Sequence, residues 1–297
     1  MLIGYILILS AALSFGVYPA AAKLAYADGM NATSLVLITT AARTVTLVGA
    51  AWLRGINFHQ ITAEMRDSMW GGACQAATIF GIIFSLRYIP GPVMITIVFT
   101  HTLILLAILH VRGEGAMSTH ALVSSIAALL GIMLVVNLFG NAGELKWLGI
   151  ALAFLGAVTS AIRVYTYGKQ VRDTAPELVG ARAFLIALIF LLPLLLFETP
   201  TAPHKASGAV GVLLACLSLS VGTLCTFRAL KILGSFRCSL TLKFEPVVTC
   251  LFSWWILDER LSPSQYLGIG IVLGSLVFYQ IVDATKRTVL KPLETQA

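Results

Sequence analysis

The sequence predicts an all-α integral membrane protein of about ten transmembrane helices, arranged as two inverted five-helix repeats. Hydrophobic residues make up 58% of the 297 residues, and the mean hydropathy is +0.92. Charged residues make up 11%, against about 25% in soluble domains. The apolar residues are grouped into runs long enough to cross a bilayer, which takes about 20 residues per helix. A soluble globule of this length could not bury so much apolar surface.

Each predicted helix is an apolar run that ends at polar, glycine or proline residues. Typical breaks are Pro90-Gly91-Pro92 and Ser262-Pro263-Ser264. The first run resembles a signal peptide but has no basic start, so we interpret it as a span. In chain order the predicted spans are Leu2–Ala25, Thr33–Leu53, Met69–Leu86, Pro92–Val111, Thr119–Leu138, Trp147–Gly168, Pro176–Phe197, Ser207–Lys231, Phe236–Leu257 and Ser264–Asp283.

The lysines and arginines between the spans predict the orientation. With the N-terminus in the cytoplasm, ten of them fall in cytoplasmic segments and five on the outer side. Cytoplasmic loops carry such an excess, so we expect a multi-pass protein of the plasma membrane with both termini in the cytoplasm. The +7 net charge is spread over helix ends and single in-span residues. It therefore does not indicate a nucleic-acid partner, and the expected partners are the lipid bilayer and a small-molecule substrate.

The sequence shows no pattern of residues typical of catalysis or metal binding. The five cysteines fall inside predicted spans without CxxC or Cys/His ligand spacing. No Ser/His/Asp order or HExxH element stands out either. We therefore expect no enzyme activity, no cofactor and no metal. Gly270 and Gly274 are spaced as a small-xxx-small face, which predicts close packing of the tenth span against another helix.

The two halves of the sequence repeat each other in the same order. Ala42-Arg43 corresponds to Ala181-Arg182, and Leu130-Gly131 corresponds to Leu273-Gly274. A five-helix unit ends on the opposite side of the membrane from its start, so its copy is inverted, as in many transporters. We expect a first repeat over residues 1–140, a second over 141–285 and a cytoplasmic tail over 286–297.

One set of motifs carries a family resemblance. Ala229-Leu230-Lys231, Phe244-Glu245-Pro246, Asp258-Glu259 and the glycine-bearing tenth span resemble the drug/metabolite transporter superfamily in its EamA-like branch of ten-helix carriers. The resemblance covers almost the whole chain, although the first half has His101-Thr102 where the second half has Glu245-Pro246. It implies a carrier, more often an exporter, of amino acids, drugs, nucleotide sugars or organic acids.

Ionisable side chains inside the spans are the candidate functional residues, because each costs about 2.5–3.5 kcal/mol at the centre of a bilayer. Arg163 and Arg228 lie near predicted cytoplasmic span ends, so we expect their long side chains to extend to the headgroups. The remaining basic candidates are predicted to bind substrate: Arg43, Arg182 and Lys243.

A second group of residues is predicted to couple or gate transport: Glu245, His101 and Pro246. Two interpretations of Glu245 stay open, since a buried carboxyl group can exchange protons or serve as the counter-ion of an arginine. His101 occupies the position related to Glu245 by the repeat, and imidazole suits proton coupling. Pro246 has no N–H to bond the carbonyl of Leu242, so the helix should loosen there.

The excess of basic over acidic groups inside the spans predicts the cargo. An unpaired buried charge needs hydration or a ligand, so we expect a carboxylate or phosphate on the substrate, as in an organic acid or amino acid. The predicted function is a secondary active transporter, favoured as an exporter, that works by alternating access with protons as a candidate coupling ion. A flippase for an anionic lipid-linked headgroup is the nearest alternative; an intramembrane enzyme and a channel are others.

Overall fold

The computed structural model describes residues 1–56, 65–114, 118–138, 146–257 and 262–294. The regular structure in these ranges is helical, without a strand. The α-helices are α1 (Leu2–Ala27), α2 (Ala32–Trp52), α3 (Met65–Ser85), α4 (Gly91–Phe99), α5 (His101–Val111), α6 (Thr119–Val135), α7 (Trp147–Asp173), α8 (Pro176–Leu191), α9 (Ala206–Leu233), α10 (Ser235–Thr241), α11 (Glu245–Leu257) and α12 (Pro263–Glu294). Two 3₁₀ turns, Leu192–Leu196 and Leu242–Phe244, continue α8 and join α10 to α11.

The prediction of an all-α membrane protein is confirmed. Seven helical stretches within the described ranges are long and apolar enough to cross a bilayer. The other predicted spans correspond to α3, to the shorter α6 and to the interrupted pair α10–α11, so the number ten stays a prediction. The predicted repeat boundary after residue 140 and the Asp258-Glu259 pair lie outside the described residues.

The first and last helices meet at one end of the molecule, here called the terminal end. Tyr5 of α1 lies within electrostatic range of both Tyr279 of α12 and Arg237 of α10. Arg237 also donates two hydrogen bonds to Asp283, at 2.9 and 3.1 Å. Both termini therefore lie on the same side of the helix bundle. The other side is here called the opposite end.

The helices pack in a pattern that is unchanged when the two halves are exchanged. The closest packing pairs α1 with α9 and α3 with α7, and these two pairs are images of each other under the exchange. The same holds for α3 on α8 and α2 on α9. The pairs α2–α8 and α6–α12 map onto themselves. Most of these contacts join a helix from one half to a helix from the other, so neither half packs as a separate unit.

The largest apolar cluster of the described residues lies at the terminal end. One cluster there joins α1, α2, α7, α8, α9 and α10, with Leu47, Tyr167 and Phe227 at its centre. Three smaller clusters at the opposite end each join three helical segments. The described core thus includes one large cluster at the terminal end and several smaller clusters at the opposite end.

The close packing of α12 uses a different glycine from the predicted ones. A Cβ added to Gly268 would lie 2.7 Å from the carbonyl oxygen of Gly131, and one added to Gly131 would lie 3.0 Å from that of Gly268. Nothing in the described structure comes within 4 Å of a Cβ on Gly270 or Gly274. The predicted Gly270/Gly274 face was therefore wrong, because α12 turns the Gly268 side of the helix toward α6.

Candidate functional site

The fourth and ninth predicted spans are both interrupted near their middle. In the fourth, α4 ends at Phe99 and α5 begins with His101. In the ninth, the 3₁₀ turn Leu242–Phe244 separates α10 from α11, which begins with Glu245. The loosening predicted from Pro246 is observed, and proline suits the first turn of a helix because no N–H is needed there. His101 and Glu245 thus occupy equivalent places, each as the first residue of a half-helix.

His101 connects the two interrupted segments. Its Nδ1 lies 2.9 Å from the carbonyl oxygen of Val98, and its Nε2 lies 2.8 Å from the Ser239 hydroxyl of α10. A carbonyl only accepts, so Nδ1 carries the proton of a neutral ring and Nε2 accepts from Ser239. The Ser239 oxygen is in turn 2.9 Å from that of Thr102. This arrangement fixes the imidazole and links α5 to α10.

Lys243 is enclosed between helices. Its side chain is fully buried, and its ammonium donates to the carbonyl oxygens of Phe99, at 3.3 Å, and Ser125, at 3.4 Å. Phe99 is the last residue of α4, and a cation at a helix C-terminus interacts favourably with the helix dipole. In this conformation Lys243 therefore joins α4 and α6 to the 3₁₀ turn between α10 and α11. A substrate could reach Lys243 only if α4 and α6 moved apart from that turn.

Arg43 and Arg163 lie close together in the interior of the bundle. Arg43 donates to the Thr39 carbonyl at 3.2 Å and stacks 4.8 Å above the Phe184 ring. Arg163 donates to Gln75 at 3.1 Å and to Ser160 at 3.2 Å. The two guanidinium groups are near enough to repel each other. Within the described ranges no carboxylate forms a salt bridge with either of them.

The expectation that Arg163 reaches the headgroups is wrong. Its hydrogen-bond partner Ser160 lies on the side of the helix turn away from the terminal end, so the guanidinium points toward the middle of the molecule. Its Nε is buried and has no hydrogen-bond partner among the described atoms. Distance from a helix end allows a side chain to reach water, but the polar groups of α3 and α7 hold this one inside.

Glu245 contributes a carboxylate with no partner in the described part of the chain. It is partly buried, and no hydrogen bond or ion pair engages it there. One helical turn further on, Val248 packs against Gly16 of α1, so Glu245 lies on the face of α11 toward α1. Among the described residues no arginine forms an ion pair with Glu245, so the structure does not support the counter-ion interpretation.

Arg182 is 5% exposed and lies in α8 two positions from Phe184. Residues two apart point to nearly opposite sides of a helix. Because Phe184 faces Arg43, the Cα–Cβ bond of Arg182 leaves α8 on the side away from Arg43. The structure thus brings Arg43 together with Arg163, and it places Arg182 and Lys243 elsewhere.

A buried ion-pair cluster at the terminal end was missed by the sequence analysis. Glu177, in the first turn of α8, is fully buried and accepts a hydrogen bond from Nε of Arg228 at 2.7 Å. Nε of Arg54 lies 3.4 Å from the same oxygen. The signal was present, since an acidic residue after a proline is typical of a helix start. The cluster joins α8, α9 and the turn after α2, and Glu177 neutralises the charge of Arg228.

A second polar contact at the terminal end lies outside the spans. Glu114, after α5, accepts from the Tyr165 hydroxyl at 2.6 Å and forms a salt bridge with Lys169 at 2.9 Å. The hydrogen bond from Tyr165, followed by that from Lys169, holds the pKa of the Glu114 carboxyl below its usual range. These contacts tie the loop after α5 to α7.

The opposite end is held by loop contacts. Glu198 pairs with Arg87 at 3.0 Å and accepts a hydrogen bond from Thr33. The Asn31 side chain caps α2 by accepting from the Ser34 amide at 2.9 Å, and it donates to the Thr199 carbonyl at 2.8 Å. Polar contacts between helices and loops of both halves thus hold each end of the bundle.

Comparison with known proteins agrees with this architecture. A solved crystal structure of a protein that is 12% identical in sequence superimposes with a TM-score of 0.82, over 94% of this chain and 96% of its own length. That likeness concerns the fold. Residues 147–280 match the EamA-like transporter family, and the match begins at the first residue of α7 and ends within α12. Among the described residues no group of three or more His, Cys, Asp or Glu could hold a metal ion. Residues 147–280 therefore form an EamA-like transporter domain, consistent with the drug/metabolite transporter superfamily, and the apolar helices are those of a multi-pass membrane protein.

Proposed function

We propose that this protein is a secondary active carrier, by resemblance an exporter, for a small metabolite with a carboxylate or phosphate group. The observation that carries the proposal is the Arg43–Arg163 pair, which has no carboxylate partner within the described ranges. Two neighbouring cations inside the spans are costly unless water or an anion lies beside them. Guanidinium offers a planar fork that binds carboxylate or phosphate through two parallel hydrogen bonds.

Both guanidinium groups keep N–H donors that an anion could use. Each guanidinium donates two hydrogen bonds, those of Arg43 within α2 and those of Arg163 to α7 and α3, whereas a guanidinium has five N–H donors. The unpartnered Nε of Arg163 is one of the remaining donors. An anionic group between Arg43 and Arg163 would accept from these donors and remove the repulsion between the two cations.

Glu245 and His101 are the proposed coupling groups. Glu245 has a carboxylate without a protein partner in the described chain, as the first residue of one half-helix, and His101 holds the equivalent place in the other. Proton uptake by Glu245 would change the charge at the start of α11, and the hydrogen bonds of His101 would transmit a movement of α5 to α10. Pro246 permits the hinge between α10 and α11 that such a movement requires.

Transport would proceed by alternating access between two inverted repeats, residues 1–140 and 141–285. The support is the packing pattern, which is unchanged when the halves are exchanged. Opening the terminal end would separate the helices joined by Glu177, and opening the opposite end would break the contacts of Glu198. Consistent with the charge distribution, we place both termini and the tail over residues 286–297 in the cytoplasm and the protein in the plasma membrane.

Ligand binding by the purified protein tests the arginine site. A thermal-shift screen against organic acids, amino acids and phosphate esters should find stabilising anions. For an anion found in this way, Arg43→Ala and Arg163→Ala should each weaken binding about tenfold to hundredfold, because a hydrogen bond to a charged group contributes about 1.5–3 kcal/mol. Arg172→Ala, which changes a 64% exposed arginine at the terminal end, is the matched control and should leave binding unchanged.

A cationic ligand gives the opposing test. Tight binding of a quaternary ammonium compound, with the same affinity in the wild type and in Arg43→Ala, would overturn the anion site. For the coupling groups, Glu245→Gln should abolish the pH dependence of net transport in proteoliposomes. The same pH dependence in the wild type, Glu245→Gln and His101→Gln would reduce both residues to structural roles.

A further inference from the structure

A groove on the outer surface of the bundle lies apart from the arginine pair. Its volume is about 520 Å³, within the range of about 300–1,000 Å³ typical of ligand sites. One wall is formed by one face of α4 and α5, and the other wall is formed by one face of α7. The principal lining residues are Ile97, Thr100, Ile104, Trp147, Ala151 and Phe154.

The groove faces the membrane. Trp147 is 77% exposed and Phe154 is 54% exposed, and both belong to a helix that is long and apolar enough to span a bilayer. Lipid acyl chains are the medium around such a helix. The Thr100 hydroxyl in the wall already donates to the Ile97 carbonyl at 2.6 Å, so it needs no hydrogen bond from a bound molecule. The lining therefore matches an acyl chain.

One end of the groove lies next to a lysine in the sequence. Trp147 is the first residue of α7, at the opposite end of the molecule, and Lys146 precedes it. Lys146 is exposed and has no hydrogen bond or ion pair with the described residues. Tryptophan concentrates at the membrane interface, and a lysine there reaches the level of the headgroups.

We propose that this groove is a phospholipid-binding site, with one acyl chain along the stripe from Trp147 to Phe154 and the lipid phosphate beside Lys146. The apolar walls of the groove match the acyl chain of a phospholipid, and Lys146 matches its phosphate. The site goes beyond the proposed carrier function, since neither Arg43 nor Arg163 lines it. A lipid bound there would pack against Thr100, which joins α4 to α5. Binding could therefore affect the position of α5, whose first residue is His101.

Lipid binding to the full chain in detergent, measured by native mass spectrometry, tests the proposal. The probes are a phosphatidylglycerol and a diacylglycerol with the same two acyl chains. The wild type should bind the phospholipid roughly two- to fivefold more tightly, the contribution of one exposed ion pair. Lys146→Gln should remove this preference and leave the weaker binding of both probes.

Ala151→Phe should abolish binding of both probes, because the exposed Ala151 can accept a larger side chain, which then fills the groove. The matched control is Val221→Phe, at a 48% exposed position of α9 outside the groove, and it should bind both probes as the wild type does. Equal binding of both probes by the wild type and Ala151→Phe would overturn the site. An undiminished preference for the phospholipid in Lys146→Gln would overturn the role of the lysine, even if Ala151→Phe failed to fold.

Discussion

The ion-pair cluster of Glu177, Arg228 and Arg54 leads to a prediction about which partner the fold can lose. The Glu177 side chain is fully buried, whereas those of Arg228 and Arg54 are 39% and 53% exposed. Removing one partner of a buried ion pair costs about 3–5 kcal/mol, because a buried charge is left uncompensated. Arg228→Leu leaves that charge on Glu177, one of whose oxygens already has no hydrogen-bond partner among the described atoms.

We expect Arg228→Leu to lower the free energy of unfolding by about 2–3 kcal/mol. This is less than for a fully buried pair, because Arg228 is partly exposed and Arg54 remains nearby. Glu177→Gln should cost about 1 kcal/mol, since the amide oxygen can still accept from Arg228 and both arginines can be hydrated. The double variant should be more stable than Arg228→Leu alone, because it leaves no buried charge.

Equilibrium unfolding of the purified protein in detergent, followed by tryptophan fluorescence, measures these differences. Arg172→Leu, which changes a 64% exposed partner of Glu114, is the control and should stay within about 0.5 kcal/mol of the wild type. If Arg228→Leu were no less stable than Glu177→Gln, or if the double variant were less stable than Arg228→Leu, the buried carboxylate would not be the source of the penalty.

Three further predictions concern packing, pH and topology. Gly268→Ala should destabilise the protein by about 1–3 kcal/mol through its contact with α6, while Gly270→Ala should not, as measured by thermal unfolding. Because the pKa of Glu114 is lowered in the folded state, the stability difference between the wild type and Glu114→Gln should be present at neutral pH. It should disappear as the pH falls through that lowered pKa in a series of thermal unfolding measurements. Reporter fusions after Leu138 and after Asp283 should lie on opposite sides of the membrane, the second in the cytoplasm; the same side for both would exclude inverted repeats.

Part of the candidate site was predictable from the order of residues alone. The repeat related His101 to Glu245, and Pro246 predicted an interrupted helix, because a missing N–H acts locally and needs no tertiary context. Both residues begin half-helices in the structure. The membrane class was equally predictable, since hydropathy accumulates along the chain and does not depend on how the helices pack.

Only the tertiary structure decided which charged groups meet. By their distance from a span end, Arg163 and Arg228 are alike, yet Arg228 pairs with Glu177 at the terminal end and Arg163 turns inward beside Arg43. Arg182 is the repeat partner of Arg43, yet it leaves α8 on the face opposite Phe184, the residue that Arg43 contacts. The rotation of a helix about its own axis and the choice of its neighbours are set by packing, so the sequence determined which helices exist and which charges they carry, and the packing determined where those charges point.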